Sequence, residues 1–196
     1  MEQESLYFLS KLHPLLKMNS INVSAKLFFE SIENPFLTKL MLFLTDIGSP
    51  TSIFLYCLVL VMIMWLHKKY THMIQFIVTI GATALIAVST KEIVRLQRPS
   101  QGIITEIGYS FASAHAMIAI VFFTLILYSY KNHFKSAWIR TCFNAICVSL
   151  VLIIGCSRIY LGVHYATDVL AGFLIGIIIA SISILMYEKH LRNMIQ

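Results

Sequence analysis

Charge is what this chain has least of. Only 12% of its 196 residues are Asp, Glu, Lys or Arg, about half the roughly 25% found in soluble domains. In their place, 58% belong to the AVILMFWYC set, and the mean hydropathy is +0.79. Water is not the solvent for most of this surface. That excludes a cytosolic globular enzyme, a disordered tail and a secreted disulfide scaffold. At this length one membrane-embedded domain remains.

Other absences narrow the reading. The four cysteines, Cys57, Cys142, Cys147 and Cys156, lie in or beside apolar runs with no disulfide or metal spacing, so they read as small buried hydrophobes. The chain is basic, with 15 Lys+Arg against 9 Asp+Glu and a net charge of +6. No basic run carries interleaved aromatics, so no nucleic-acid partner is expected. Lys and Arg in membrane proteins collect in cytoplasmic loops as orientation signals. A cleavable signal peptide is not expected either, because Lys11, His13, Pro14 and Lys17 interrupt the apolar residues of the N-terminus.

Apolar length is what the chain does have. A crossing needs about 20 mostly apolar residues, and five stretches qualify: Ile47–Leu66, Met73–Thr90, Ala112–Tyr130, Thr141–Cys156 with a slight extension, and Val169–Tyr187. The expected fold is therefore all-α, a polytopic transmembrane helix bundle of about five full spans. Lys26, Glu30, Glu33, Pro35 and Lys39 break every window before residue 47. Residues 1–46 are expected to form an amphipathic interfacial segment, and residues 47–190 the membrane core. Lys68 and Lys69, Lys131 and Lys135, and the segment Glu188–Arg192 mark the cytoplasmic loops. The segments Glu92–Phe111 and Ser157–Asp168 then share the extracytoplasmic face. Their own basic residues contradict the orientation rule, and a bound anion would supply the reason.

Three motifs meet on that face. Lys91, Arg95 and Arg98 repeat at spacings of four and three, so a continuing helix would carry them as one basic stripe ended by Pro99. Ser113, within Ala112-Ser113-Ala114-His115, is placed to cap the third span, where helix-start amides favour an anion. Ser157-Arg158 is followed by His164 and Asp168, one helical turn apart, so a carboxylate can fix one imidazole nitrogen and leave the other to react. Guanidiniums that fork onto phosphate oxygens, a Lys point charge, amide donors and two histidines together describe a phosphate site with a nucleophile and a proton donor.

Taken in order, Lys-x6-Arg-Pro, Ala-Ser-Ala-His and Ser-Arg-x5-His-x3-Asp resemble the motifs of the type 2 phosphatidic acid phosphatase superfamily, which also holds the vanadium haloperoxidases. The likeness runs from about Asn34 to Tyr187 and points to small bacterial membrane members, such as undecaprenyl-diphosphate and phosphatidylglycerophosphate phosphatases. It implies a membrane lipid phosphatase with His164 as the nucleophile that forms a phosphohistidine, Asp168 as its orienting partner and His115 as the general acid. It implies that Lys91, Arg98, Ser113, Arg158 and the amide of Ala114 bind the phosphate, with no metal or cofactor. The second motif departs from the usual Pro-Ser-Gly-His. Alanine keeps the amide donor at 114 but resists positive φ and adds a methyl, and loss of proline at 112 loosens the helix entry. Every side chain with a chemical role is retained, so an active enzyme is expected, with a weakened or repurposed site as the alternative.

Bland readings stand beside these. His13, His67, His72, His133 and His190 read as structural hydrogen-bonders, and Asp46 and Glu106 as ordinary interface or loop residues. Arg95 divides between snorkelling to headgroups and assisting a second phosphate. A metal held by His115, His164 and Asp168 fits by ligand type, but Lys91, Arg98 and Arg158 would repel a divalent cation. Gly172 and Gly176 form a small-xxx-small pair suited to close packing within the chain, with a homodimer contact second. Two rivals to the phosphatase stay open: a lipid phosphotransferase on the same scaffold, and a non-catalytic transporter of anionic lipids.

Overall fold

The computed structural model describes residues 19–130 and 133–195, and within them the chain is all-helical, with seven helices and no strand. They are α1 (Ser20–Ser31), α2 (Pro35–Ile47), α3 (Pro50–Leu66), α4 (Tyr70–Val94), α5 (Ala114–Tyr130), α6 (Ala137–Tyr160) and α7 (Ala166–Ile195). The first three begin on polar caps. Asn19 accepts from the Asn22 amide, Asn34 from Leu37, and Ser49 from Ser52, with Pro35 and Pro50 at the first helical position.

Three helices, α4, α6 and α7, are long and apolar enough to cross a membrane. The pair α2–α3, bent by 45° at its break, makes a fourth if taken as one span. That differs from five full spans, for two local reasons. First, the chain stops at Gly48 and restarts on the Ser49 cap and Pro50, so the first expected span is a 17-residue helix with another apolar helix ahead of it. The N-terminal part of the interfacial segment, residues 1–18, lies outside the described residues. Second, α5 has 17 residues, about 25 Å of rise against a hydrocarbon core of about 30 Å. It lies inside the bundle: Ala116, Met117, Ala119 and Val121 are fully buried. Around it stand Ile53 and Met64 of α3, Phe76 of α4, Ile154 of α6 and Ala180 of α7. Phe54, Leu85 and Leu174, by contrast, point outward.

Lipid tails are as apolar as Leu, so close packing and hydrogen bonds hold such helices together. Thr79 Oγ1 lies 2.6 Å from Ser183 Oγ between α4 and α7, and His72 meets the Tyr187 hydroxyl at 2.6 Å. The second is the structural role expected of His72. Gly172 and Gly176 do pack within the chain. A Cβ on Gly172 would lie 2.7 Å from the Ser113 carbonyl, and one on Gly176 2.3 Å from Ile120 Cγ2. This close approach of α7 to α5 joins the second and third motifs.

Candidate active site

The last residues of α4 and α6 and the first of α5 and α7 meet at one end of the bundle, joined by the loop 95–113 and the turn 161–165. The Ile103 amide donates to the Leu161 carbonyl at 2.9 Å, and the Ser113 amide to the Asp168 carbonyl at 3.0 Å. Gly162 (φ +69°) lets the turn press backbone to backbone against Gly102.

The expected stripe of Lys91, Arg95 and Arg98 is not formed. Helix α4 ends at Val94, and Arg95 takes the left-handed conformation (φ 51°), with its Nε donating to the Glu92 carbonyl at 3.0 Å. Leu96 is then drawn fully into the core, so Arg98 reaches the site from irregular chain while Arg95 stays exposed. Lys91 stays on α4, close enough for its charge to act on His164.

Arg98 is the organising side chain. Its Nη1 donates to the Val163 carbonyl at 2.9 Å and lies 3.2 Å from His164 Nε2, while its Nε donates to the Gly108 carbonyl at 3.2 Å. His164 Nδ1 faces Asp168 Oδ2 at 3.4 Å, and the same oxygen accepts the Tyr165 amide at 2.9 Å. With Nδ1 protonated toward Asp168, the Nε2 lone pair faces Arg98. Burial, then the charges of Arg98, Arg158 and Lys91, hold the His164 imidazole well below its usual value of 6.5, so it is neutral at pH 7. That is the form a nucleophile requires.

Arg158 is 1% exposed. Its Nη1 donates to Thr45 Oγ1 of α2 at 2.6 Å, its Nη2 pairs with Glu106, and its Nε is buried without a partner among the described residues. Ser113 precedes α5 and its carbonyl accepts the Met117 amide, so its backbone opens the helix. Its side chain does not make the expected cap: Oγ is buried with no partner among the described residues, a donor available to a ligand oxygen. Ala114 is the first residue of α5 and has no positive φ, so the strain considered for alanine does not arise. His115 follows, half-buried and close enough to Glu106 to act on its ionisation.

Glu106, an ordinary loop residue by sequence, is the largest correction. Its Oε2 lies 3.1 Å from Arg98 Nη1, and its Oε1 pairs with Arg158 Nη2. Burial pushes its carboxyl up, but the Arg158 hydrogen bond and the charges of Arg158, Arg98 and His115 outweigh this and hold it below the ordinary carboxylate value. A lone acid between two basic motifs, on a face with surplus cations, was the available signal. Thr45 and Asn22 carried none. Asn22, the one buried residue of α1, accepts the Thr167 amide at 3.0 Å and donates to the Thr167 hydroxyl at 3.1 Å, capping α7 from a distant part of the chain. Among the described residues no three His, Cys, Asp or Glu side chains converge as a metal-ligand set.

Comparison with known proteins gives the family. The profile of the PAP2 superfamily matches residues 72–192. The chain belongs to the PAP2 superfamily. Phosphatidylglycerophosphatase B of Bacillus subtilis (strain 168) is 29% identical over 151 residues, spanning 76% of this chain and 74% of that one. Bacitracin transport permease protein BcrC of Bacillus licheniformis is 37% identical over 75 residues, 38% of this chain and 32% of the relative. Among solved structures, the transmembrane PAP2-type phosphatidylglycerolphosphate phosphatase of Bacillus subtilis superposes with a TM-score of 0.80 at 24% identity, covering 95% of each chain. Aquifex aeolicus LpxE gives 0.70 at 23% identity, covering 86% of this chain and 98% of that one. At these identities the two structures speak for the fold.

Proposed function

We propose that this PAP2 protein is an integral-membrane phosphatase that removes phosphate from a lipid phosphate monoester or diphosphate through a phosphohistidine. The observation that carries the reading is Arg98 Nη1, which touches both the His164 ring nitrogen and the carboxylate of Glu106, so one guanidinium can hold nucleophile and anion together. The phosphatidylglycerophosphatase relative supports the lipid class.

The chemistry needs only groups of this chain. His164 Nε2 attacks phosphorus and the bond to the leaving oxygen breaks, while His115, which takes up a proton from water as the anionic substrate fills the site, gives that proton to the leaving oxygen. Asp168 holds the Nδ1 proton as the ring gains positive charge. Water then attacks the phosphohistidine from the vacated side, passes a proton to His115, and phosphate leaves with His164 restored. Arg98, Arg158, Lys91, the Ser113 hydroxyl and the Ala114 amide meet the charge that builds on the phosphoryl oxygens. In the membrane, residues 47–190 would form the multi-pass core, with α5 completing a fifth crossing inside it and the earlier segment at the interface. The site would open on the extracytoplasmic face, its lipid tail lying between helices.

Release of phosphate from a panel of lipid phosphates by the purified protein tests this. His164→Ala and Arg98→Ala should abolish turnover; near wild-type rates in either would overturn the assignment. Labelled donor separates hydrolysis from transfer to a second lipid alcohol, which leaves little free phosphate.

A further inference from the structure

The pocket between Arg98 and Arg158 already holds an anion. Glu106 places one carboxylate oxygen on each guanidinium, the arrangement two phosphoryl oxygens would take. It does not saturate the pocket. Arg158 Nε and Ser113 Oγ remain buried without partners among the described residues, donors that a two-oxygen group does not satisfy. Nor is the carboxylate locked in. The Glu106 side chain is 28% exposed, the next residue, Ile107, is 99% exposed, and Gly108 follows at φ +88°. Gly108 stays tied by its carbonyl to Arg98 Nε and Ile103 by its amide to Leu161, so withdrawal is a movement of the Glu106 side chain and not of the loop.

We propose that Glu106 is a specificity-determining residue, the resident counter-anion of the phosphate pocket, which a phosphate monoester dianion displaces and a phosphodiester monoanion does not. The inference rests on the phosphatase reading of this site. A membrane surface is crowded with phosphodiester headgroups, and a bare pocket of two arginines would bind them. A phosphodiester brings one negative charge and two non-bridging oxygens, the same endowment as the carboxylate it must expel. A terminal phosphate, on a monoester or a diphosphate, brings a second charge and a third oxygen, which can reach the donors Glu106 leaves idle. The discrimination comes from the competitor inside the site, not from closer fit to the substrate.

The test compares wild type with Glu106→Gln, which keeps shape and removes charge, by titrating the full chain in micelles with orthophosphate and with a short-chain phosphatidylglycerol as phosphodiester. The wild type should bind orthophosphate and not the diester. Glu106→Gln should bind orthophosphate about tenfold more tightly, the scale of one charge-assisted contact, and should acquire diester binding. Weaker orthophosphate binding in Glu106→Gln, with the diester still excluded, would make Glu106 a mere positioner of the arginines and overturn the proposal. Glu106→Asp, which keeps the charge, should go on excluding the diester. Phosphate release from a lipid monoester, followed against added diester lipid, forms a second arm: diester should inhibit Glu106→Gln competitively and spare the wild type. Absence of release by the wild type from every lipid phosphate would defeat the phosphatase reading instead, while the titrations still decide the role of Glu106.

Discussion

Gly172→Ala puts one methyl where α7 meets α5. Its Cβ would sit 2.7 Å from the Ser113 carbonyl oxygen and 3.2 Å from Ala116 Cβ, whereas ordinary contact begins at 3.4 Å, so Ser113 must retreat by about 0.7 Å. The opposing atom is backbone at the start of a buried helix and has no rotamer to adjust. The hydrogen bond from the Ser113 amide to the Asp168 carbonyl is 3.0 Å long, and a retreat of that size breaks it. Overpacking of this kind costs about 1–3 kcal/mol, and the lost bond about 1 more. The effect on turnover should be larger than on folding. The displaced segment carries Ser113, Ala114 and His115 against Asp168, and misplacement of about 1 Å costs on the order of a hundredfold in a reaction that depends on alignment. Gly172→Ala should therefore cut turnover of a lipid phosphate about ten- to a hundredfold and lower the thermal midpoint in detergent. Gly81→Ala is the control, because a Cβ there meets nothing within 4 Å; it should keep full activity and gain up to about 1 kcal/mol from helix propensity. Gly172→Ala within twofold of wild type in both assays would refute the packing argument.

Other perturbations follow from the same geometry. Thr45→Val removes the acceptor on Arg158 Nη1 while keeping the side-chain shape; losing a hydrogen bond to a buried charge, about 1.5–3 kcal/mol, should weaken orthophosphate inhibition at least about tenfold, and unchanged inhibition would contradict it. Asn22→Ala removes the remote cap on α7 and should lower stability by about 0.5–2 kcal/mol, with Asn22→Asp recovering most of it in thermal unfolding. The unfolded chain protonates His164 near pH 6.5, whereas the folded site resists protonation well below that. This group therefore leaves stability unchanged above pH 6.5 and lowers it progressively as pH falls beneath, and the acid limb of kcat/KM due to the free nucleophile lies below 6.5. A His164 ring resonance titrating at or above 6.5 would contradict both statements.

The helical architecture was legible in the sequence because apolar runs of membrane length rarely serve any purpose but crossing a bilayer, and α4, α6 and α7 lie where those runs lie. Hydropathy was silent on the break at Gly48-Ser49 and on α5. A helix buried among other helices and one facing lipid are equally apolar, so composition alone does not set Val121 of α5 apart from Leu85 of α4. Within the site, His164 and Asp168 were readable because their spacing is local, one turn of chain. Arg98 was found by residue type but misplaced on a helix, since the burial of Leu96 that ends α4 is a tertiary event. Thr45 and Asn22 were missed for one reason: they act on residues 113 and 145 positions away, and no periodicity within one segment encodes such a pairing. Glu106 left a signal as the lone acid between two basic motifs, but its second partner, Arg158, lies 52 positions away.

The surplus of +6 therefore resolves into charges with different work. Lys68 and Lys69 lie at the junction of α3 and α4, far along the chain from any motif, as orientation signals would. Arg98, just past the end of α4, and Arg158, in the last turn of α6, stand at the other end of the bundle, where they could not remain as bare cations. An Arg 1% exposed carries a large desolvation cost unless partners surround it. Thr45 and Glu106 supply them without ligand, and the idle Nε leaves the set incomplete. A pocket that must be stable both empty and occupied needs a partner that can leave. A displaceable carboxylate meets that need, because a fixed acceptor in its place would block the anion and none would leave the two guanidiniums without this countercharge. The scarcity of acidic residues in this chain thus makes the placement of Glu106 more informative than that of any single cation.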